Sequence, residues 1–160
     1  MLSKLKSRVV KRIGQIVEKL NELVILNEEV ENAYKKASSK LENNYTKTYA
    51  KEKSLERGEF VRFLKNELTK LEANDENLIA LKRKFHMVRL NFRKFIKIEN
   101  DAEFLGKVYE IEVLSINKYD DLLSQINLPL TLCKLLLKQR DFLQARLHVM
   151  ERGELVVSSS

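Results

Sequence analysis

An all-α fold is predicted for this chain: a thin, elongated antiparallel bundle of four to five amphipathic helices with coiled-coil-like seams. Three observations predict it. Gly and Pro number four and one in 160 residues, too few for the many tight turns of a sandwich or barrel. The usage is heavy in Leu, Lys and Glu, which favour helices, and a third of the residues are charged, as suits helices with one wet face. Apolar residues recur alternately three and four apart, the spacing of a helical seam.

The first helix is predicted from about Leu2 to about Leu41. Val9, Ile13, Ile16, Leu20, Leu23, Val30 and Ala37 form its seam, and Val10, Val17 and Val24 form a second column beside it. A stripe this wide suits burial against at least two neighbours. Asn27 occupies a seam position, where it either sets register from within the core or marks fraying of the seam. From Ser38 to Gly58 the apolar pattern weakens, which reads as a hinge or as the solvated end of one long helix.

A second helix runs to about Glu72 on Phe60, Val61, Leu64, Leu68 and Leu71. Asn74 and Asp75 are candidate caps in the break that follows. Helix three carries Leu78, Leu81, Phe85, Val88, Phe92 and Phe95. Asn100 and Glu103 have the spacing of a capping box, and helix four follows with Phe104, Val108, Ile111, Tyr119, Leu122 and Ile126. Pro129 suits the first turn of helix five, which uses Leu132, Leu136, Leu143, Leu147 and Met150 and ends at Gly153. Residues 1–153 therefore read as one helical domain and 154–160 as a flexible tail. Short connections favour an up-and-down bundle. Helix one is long for so small a chain, so self-association as a homo-oligomer is expected to cover its stripe.

Charge is the most informative feature. The chain has 30 Lys and Arg against 23 Asp and Glu, a net charge of +7. Seven of the cations lie in LKRKFHMVRLNFRKFIKI, residues 81–98, and five lie in residues 1–17; neither segment contains an acid. The remaining 18 cations face 23 acids, so the whole positive excess sits in these two segments. On a helix, Lys82, His86, Arg89, Arg93 and Lys97 fall on one line, which Arg83 and Lys94 widen. That ridge is roughly 22 Å long at helical rise. Lys4, Arg8 and Lys11 line the face of helix one opposite Leu2, Val9, Ile13 and Ile16.

Four readings of these ten candidate residues follow. The ridge is a wet face neutralised by acidic clusters such as Glu28-Glu29-Glu31 or Asp120-Asp121. It docks on an acidic protein partner or on a second copy of the chain. It rests with the N-terminal helix on anionic lipid. Or it binds nucleic acid through its phosphates, although no zinc-finger, helix-turn-helix or RNA-recognition signature is present.

Chemistry is sparse. His86 and His148 lie far apart, and neither has the Glu three residues before it that a di-iron bundle site requires. Cys133 is the single cysteine, which excludes a disulfide framework and is expected to pack as a small hydrophobe. Asp120 and Asp121 are adjacent on a helix and diverge. Gly14, Gly58, Gly106 and Gly153 stand singly, so no phosphate loop is present. The basic amphipathic start resembles a transit peptide in composition, but its pattern runs on unbroken and reads as structure. The expectation is a non-enzymatic scaffold or adaptor without cofactor. It associates with partner helices or itself and docks through the helix-three ridge in the cytoplasm. A peripheral membrane protein is the alternative, and nucleic-acid binding ranks behind both.

Overall fold

A computed structural model describes residues 2–72 and 78–153, without the side chains of residues 2, 9, 10, 72 and 78–82. The expected caps Asn74 and Asp75, the apolar positions Leu2, Val9, Val10, Leu78 and Leu81, the ridge residue Lys82 and the tail 154–160 lie outside the described residues and side chains.

Five helices follow one another: α1 (Leu2–Lys40), α2 (Asn44–Glu72), α3 (Leu78–Phe95), α4 (Asp101–Leu123) and α5 (Leu130–Glu151). The stretch 38–58 is neither hinge nor continuation. Helix α1 stops at Lys40, a three-residue turn follows, and α2 starts at once. Asp101 holds that turn from across the fold. Its carboxylate accepts from the backbone N–H of Glu42 at 2.9 Å and from the Thr46 hydroxyl at 2.5 Å. The Thr46 hydroxyl and these amides hold the Asp101 carboxyl below the usual range. The polar residues that weaken the local helix signal are therefore the ones that make the corner.

The capping box at α4 forms: the Asn100 side chain accepts from the N–H of Glu103 at 3.0 Å. The return bond from Glu103 reaches the N–H of Glu99, one residue before the cap. Gly153 closes α5 with φ +71, a backbone angle that favours glycine, and its N–H donates to Met150 O. Ile126 is exposed, because α4 has already ended and Ile126 sits in the turn after it.

Each helix reverses the direction of the one before. Helices α1, α2, α5 and α4 pack in that order around a ring, each antiparallel to its two neighbours. Helix α3 is not in the ring. It runs parallel to α1 on its outer side, as its partners show: Lys84 meets Glu18, and Arg93 meets Glu29. The connectivity is that of a four-helix bundle with one long crossover, here made of helix. Among the described side chains, α3 contributes no fully buried residue, and Phe95 is exposed despite its seam position. One neighbour buries only part of a seam. Ile96 and Ile98, just beyond α3, are buried and pin the crossover to the core.

The core runs through the ring from Ile16, Val17 and Leu20 on α1 to Leu143 and Leu147 on α5. Cys133 is half-buried.

Candidate functional site

The basic ridge of α3 faces two environments. Its middle is already engaged. Arg89 donates to Glu29 at 3.1 Å and to Glu28 at 3.2 Å, and Arg93 grips both oxygens of Glu29 at 3.1 and 3.2 Å. Lys84 pairs with Glu18. Glu29 is almost wholly buried. Burial alone would raise its carboxyl, but the hydrogen bonds and charges of Arg93 and Arg89 outweigh this and hold it below its ordinary value. Glu29 raises the Arg93 guanidinium in turn. These pairs dock α3 on α1. Of the acidic clusters named above, Glu28 and Glu29 serve the ridge. Glu31 faces Gly58, while Asp120 and Asp121 pair with Arg140 and Lys19.

The rest of the ridge is open. Arg83, His86 and Lys94 are exposed and have no carboxylate partner among the described residues. Lys97 makes one exposed pair with Glu99 at 3.1 Å. The aromatic seam residue Phe92 packs against the core with Lys118 over its ring, which excludes it as a stacking platform.

The second basic segment is the start of α1. Among the described side chains of α1 the first buried one is Ile16, and those from Ser3 to Gln15 are all exposed. The helix therefore overhangs the ring by roughly 20 Å. Leu5 and Ile13, 56% and 42% exposed, continue the stripe that Ile16 and Leu20 bury further on. Arg8 and Arg12 border one edge of that stripe and Lys6 the other, while Lys4 and Lys11 lie behind it. The overhang is thus an amphipathic helix whose apolar face lacks a described neighbour.

The interior holds a polar layer that composition alone does not reveal. Arg57 is fully buried at the ring centre. It donates to Asn27 at 2.8 Å, to Glu112 at 3.2 Å and to Ser115 at 3.1 Å. Tyr119 receives from Asn27 and donates to Gln139 at 2.5 Å. Arg146 grips Glu56 at 2.7 Å through both nitrogens and lies 3.8 Å from Glu112. Burial pushes Glu56 up, but Arg146 outweighs it and holds that carboxyl low. Asn27 is therefore buried and engaged in the core, and the seam does not fray at this position. The layer was readable in one respect: Asn27, Ser54, Arg57, Ser115 and Gln139 all stand where the helical spacing calls for core.

Within this layer Tyr34 Oη, Tyr49 Oη, Arg57 Nε and Glu112 Oε2 have no hydrogen-bond partner. Burial pushes both tyrosine hydroxyls up, so they stay protonated. Among the described residues no group of three or more His, Cys, Asp and Glu stands close enough to hold a metal ion. No described helix is long and apolar enough to cross a membrane.

Neither a curated protein nor a solved structure matches the chain. A family match covers residues 15–125, beginning where α1 enters the ring and ending just after α4. The overhang and α5 lie outside it. The chain belongs to the family described as a domain of unknown function, DUF2383.

Proposed function

We propose that this protein is a non-catalytic helical adaptor that docks an acidic amphipathic partner helix through the overhang of α1. One observation carries the reading. The stripe that packs against two neighbours inside the ring continues over Leu5 and Ile13 with no described neighbour, flanked by Lys6, Arg8 and Arg12. Inside the ring that stripe buries against helices, so a helix is the natural occupant outside it. The cationic flank selects an acidic one. Two overhangs of this chain would bring five cations against five, which disfavours pairing of like with like and favours a different partner. Arg83, at the end of the α3 ridge nearer the overhang, adds to the positive field.

The test is titration of a synthetic Leu/Ile heptad helix with Glu flanks, followed by sedimentation velocity. Binding that disappears in Leu5→Asp/Ile13→Asp and weakens with salt supports the adaptor. Equal binding by that variant refutes it. A second reading, docking on an anionic bilayer, is favoured by the absence of any acid in residues 1–17 beside exposed Leu5 and Ile13. Sedimentation with vesicles containing phosphatidylserine, against neutral vesicles, separates it from the first.

A further inference from the structure

At the end of the molecule away from the overhang, α1 and α3 part around a cavity of about 370 Å³. Its size falls in the range of small-ligand sites. The floor is apolar: Ala33 from α1, Leu90 from α3, and Ile96 and Ile98 from the segment that follows. Ile96 and Ile98 are themselves core residues, so the floor is built on the ring and does not depend on mobile side chains. The rim is cationic, with Lys36 and Lys40 from one wall and Lys94 and Lys97 from the other. Lys36, Lys40 and Lys94 are exposed and lack a carboxylate partner among the described residues. Glu29, the one acid lining the cavity, is already held by Arg89 and Arg93.

We propose that this cavity binds a free single-chain amphiphilic carboxylate, its alkyl chain on the apolar floor and its head among the rim lysines. The arrangement distinguishes this class from others. A phosphate site offers a guanidinium fork or a cluster of backbone N–H groups. Here the one arginine is committed to Glu29. Both α1 and α3 end beside the cavity, so the negative ends of two helix dipoles lie near it and disfavour an anion placed deep. Charge is therefore favoured only at the rim, where the lysines stand as separate point charges. Apolar atoms below and cations above match an amphiphile and no compact anion. The site goes beyond the adaptor reading and shares no residue with the overhang.

Isothermal titration calorimetry with dodecanoate below its micellar concentration tests it. One dodecanoate binds per chain, acetate gives no heat, and dodecanol binds at least about tenfold more weakly, since it lacks the charge. Lys36→Glu/Lys94→Glu changes two exposed side chains, keeps the melting temperature and weakens dodecanoate at least about tenfold. Ala33→Phe fills the floor and abolishes binding. Lys4→Glu/Arg8→Glu/Lys11→Glu leaves dodecanoate binding unchanged, which separates failure of this site from failure of the adaptor reading. The proposal is overturned if no dodecanoate binds, if Lys36→Glu/Lys94→Glu binds it as tightly as the parent, or if dodecanol or acetate matches dodecanoate.

Discussion

Arg57 and Arg89 are both helix arginines paired with glutamates, yet they have different physical meanings. Arg57 is sealed in the ring centre against Glu112, with its Nε and one Glu112 oxygen unpartnered. Arg89 lies at the seam between α1 and α3 with about a third of its side chain exposed. In the ring, water cannot replace a lost partner. At the seam it can. The difference teaches that an ion pair's contribution depends on what stands in for it when it breaks, more than on its length.

Removing the inner carboxylate gives the largest effect. Glu112→Gln strands the Arg57 charge and is expected to lose about 3–5 kcal/mol, read by urea unfolding. Replacing the pair together, as Arg57→Met/Glu112→Leu, recovers most of that loss, because the pair is imperfectly satisfied and its desolvation cost is removed with it. If the double variant is no better than Glu112→Gln, the pair contributes net stability and the comparison fails.

The outer pair responds less. Glu29→Gln weakens the grip on Arg89 and Arg93 and costs about 1 kcal/mol after solvent screening. Arg89→Glu/Arg93→Glu sets carboxylates against Glu28 and Glu29. Amide exchange should then quicken across α3 while the ring keeps its protection. Uniform loss of protection would show that α3 is part of the core.

Acid sharpens the same contrast. Glu29, Glu56 and Asp101 titrate below their ordinary values in the folded chain. Their stabilisation is complete above the unfolded carboxylate range, about pH 4, and is lost as pH falls through the lower folded values. Stability should decline from about pH 5 downward, with a shallower slope in Glu29→Gln. An equal slope would remove Glu29 from the acid response. The smallest stability effect belongs to the overhang: Lys4→Glu/Arg8→Glu/Lys11→Glu should change unfolding by less than about 0.5 kcal/mol, while binding of the acidic helix falls.

Most element boundaries were legible because caps and periodicity are local. Asn100 with Glu103, Gly153 and the alternating seams mark their helices within a few residues. The start of α2 was not legible. Ala50, Ser54 and Arg57 keep the seam's spacing into Val61 and Leu64, but two of the three are polar and one is small, so the stripe looks like surface. Their burial depends on partners on other helices, Glu31 for Ser54 and Glu112 for Arg57. The basic ridge was legible as a line of charge on α3. Which of its members are spoken for was not, because Glu28 and Glu29 lie some sixty residues away.

Sequence alone determined the all-α class, most helix limits, the amphipathic stripes and the concentration of positive charge in two segments. All four follow from backbone sterics, capping and residue spacing, which act within a few turns. Only the tertiary structure decided that α3 lies outside the ring, that Arg57 is at its centre, that α1 overhangs, and that a lysine-rimmed cavity opens between α1 and α3. Each of those depends on which helix lies beside which, and burial and charge pairing between distant segments settle that when the chain packs.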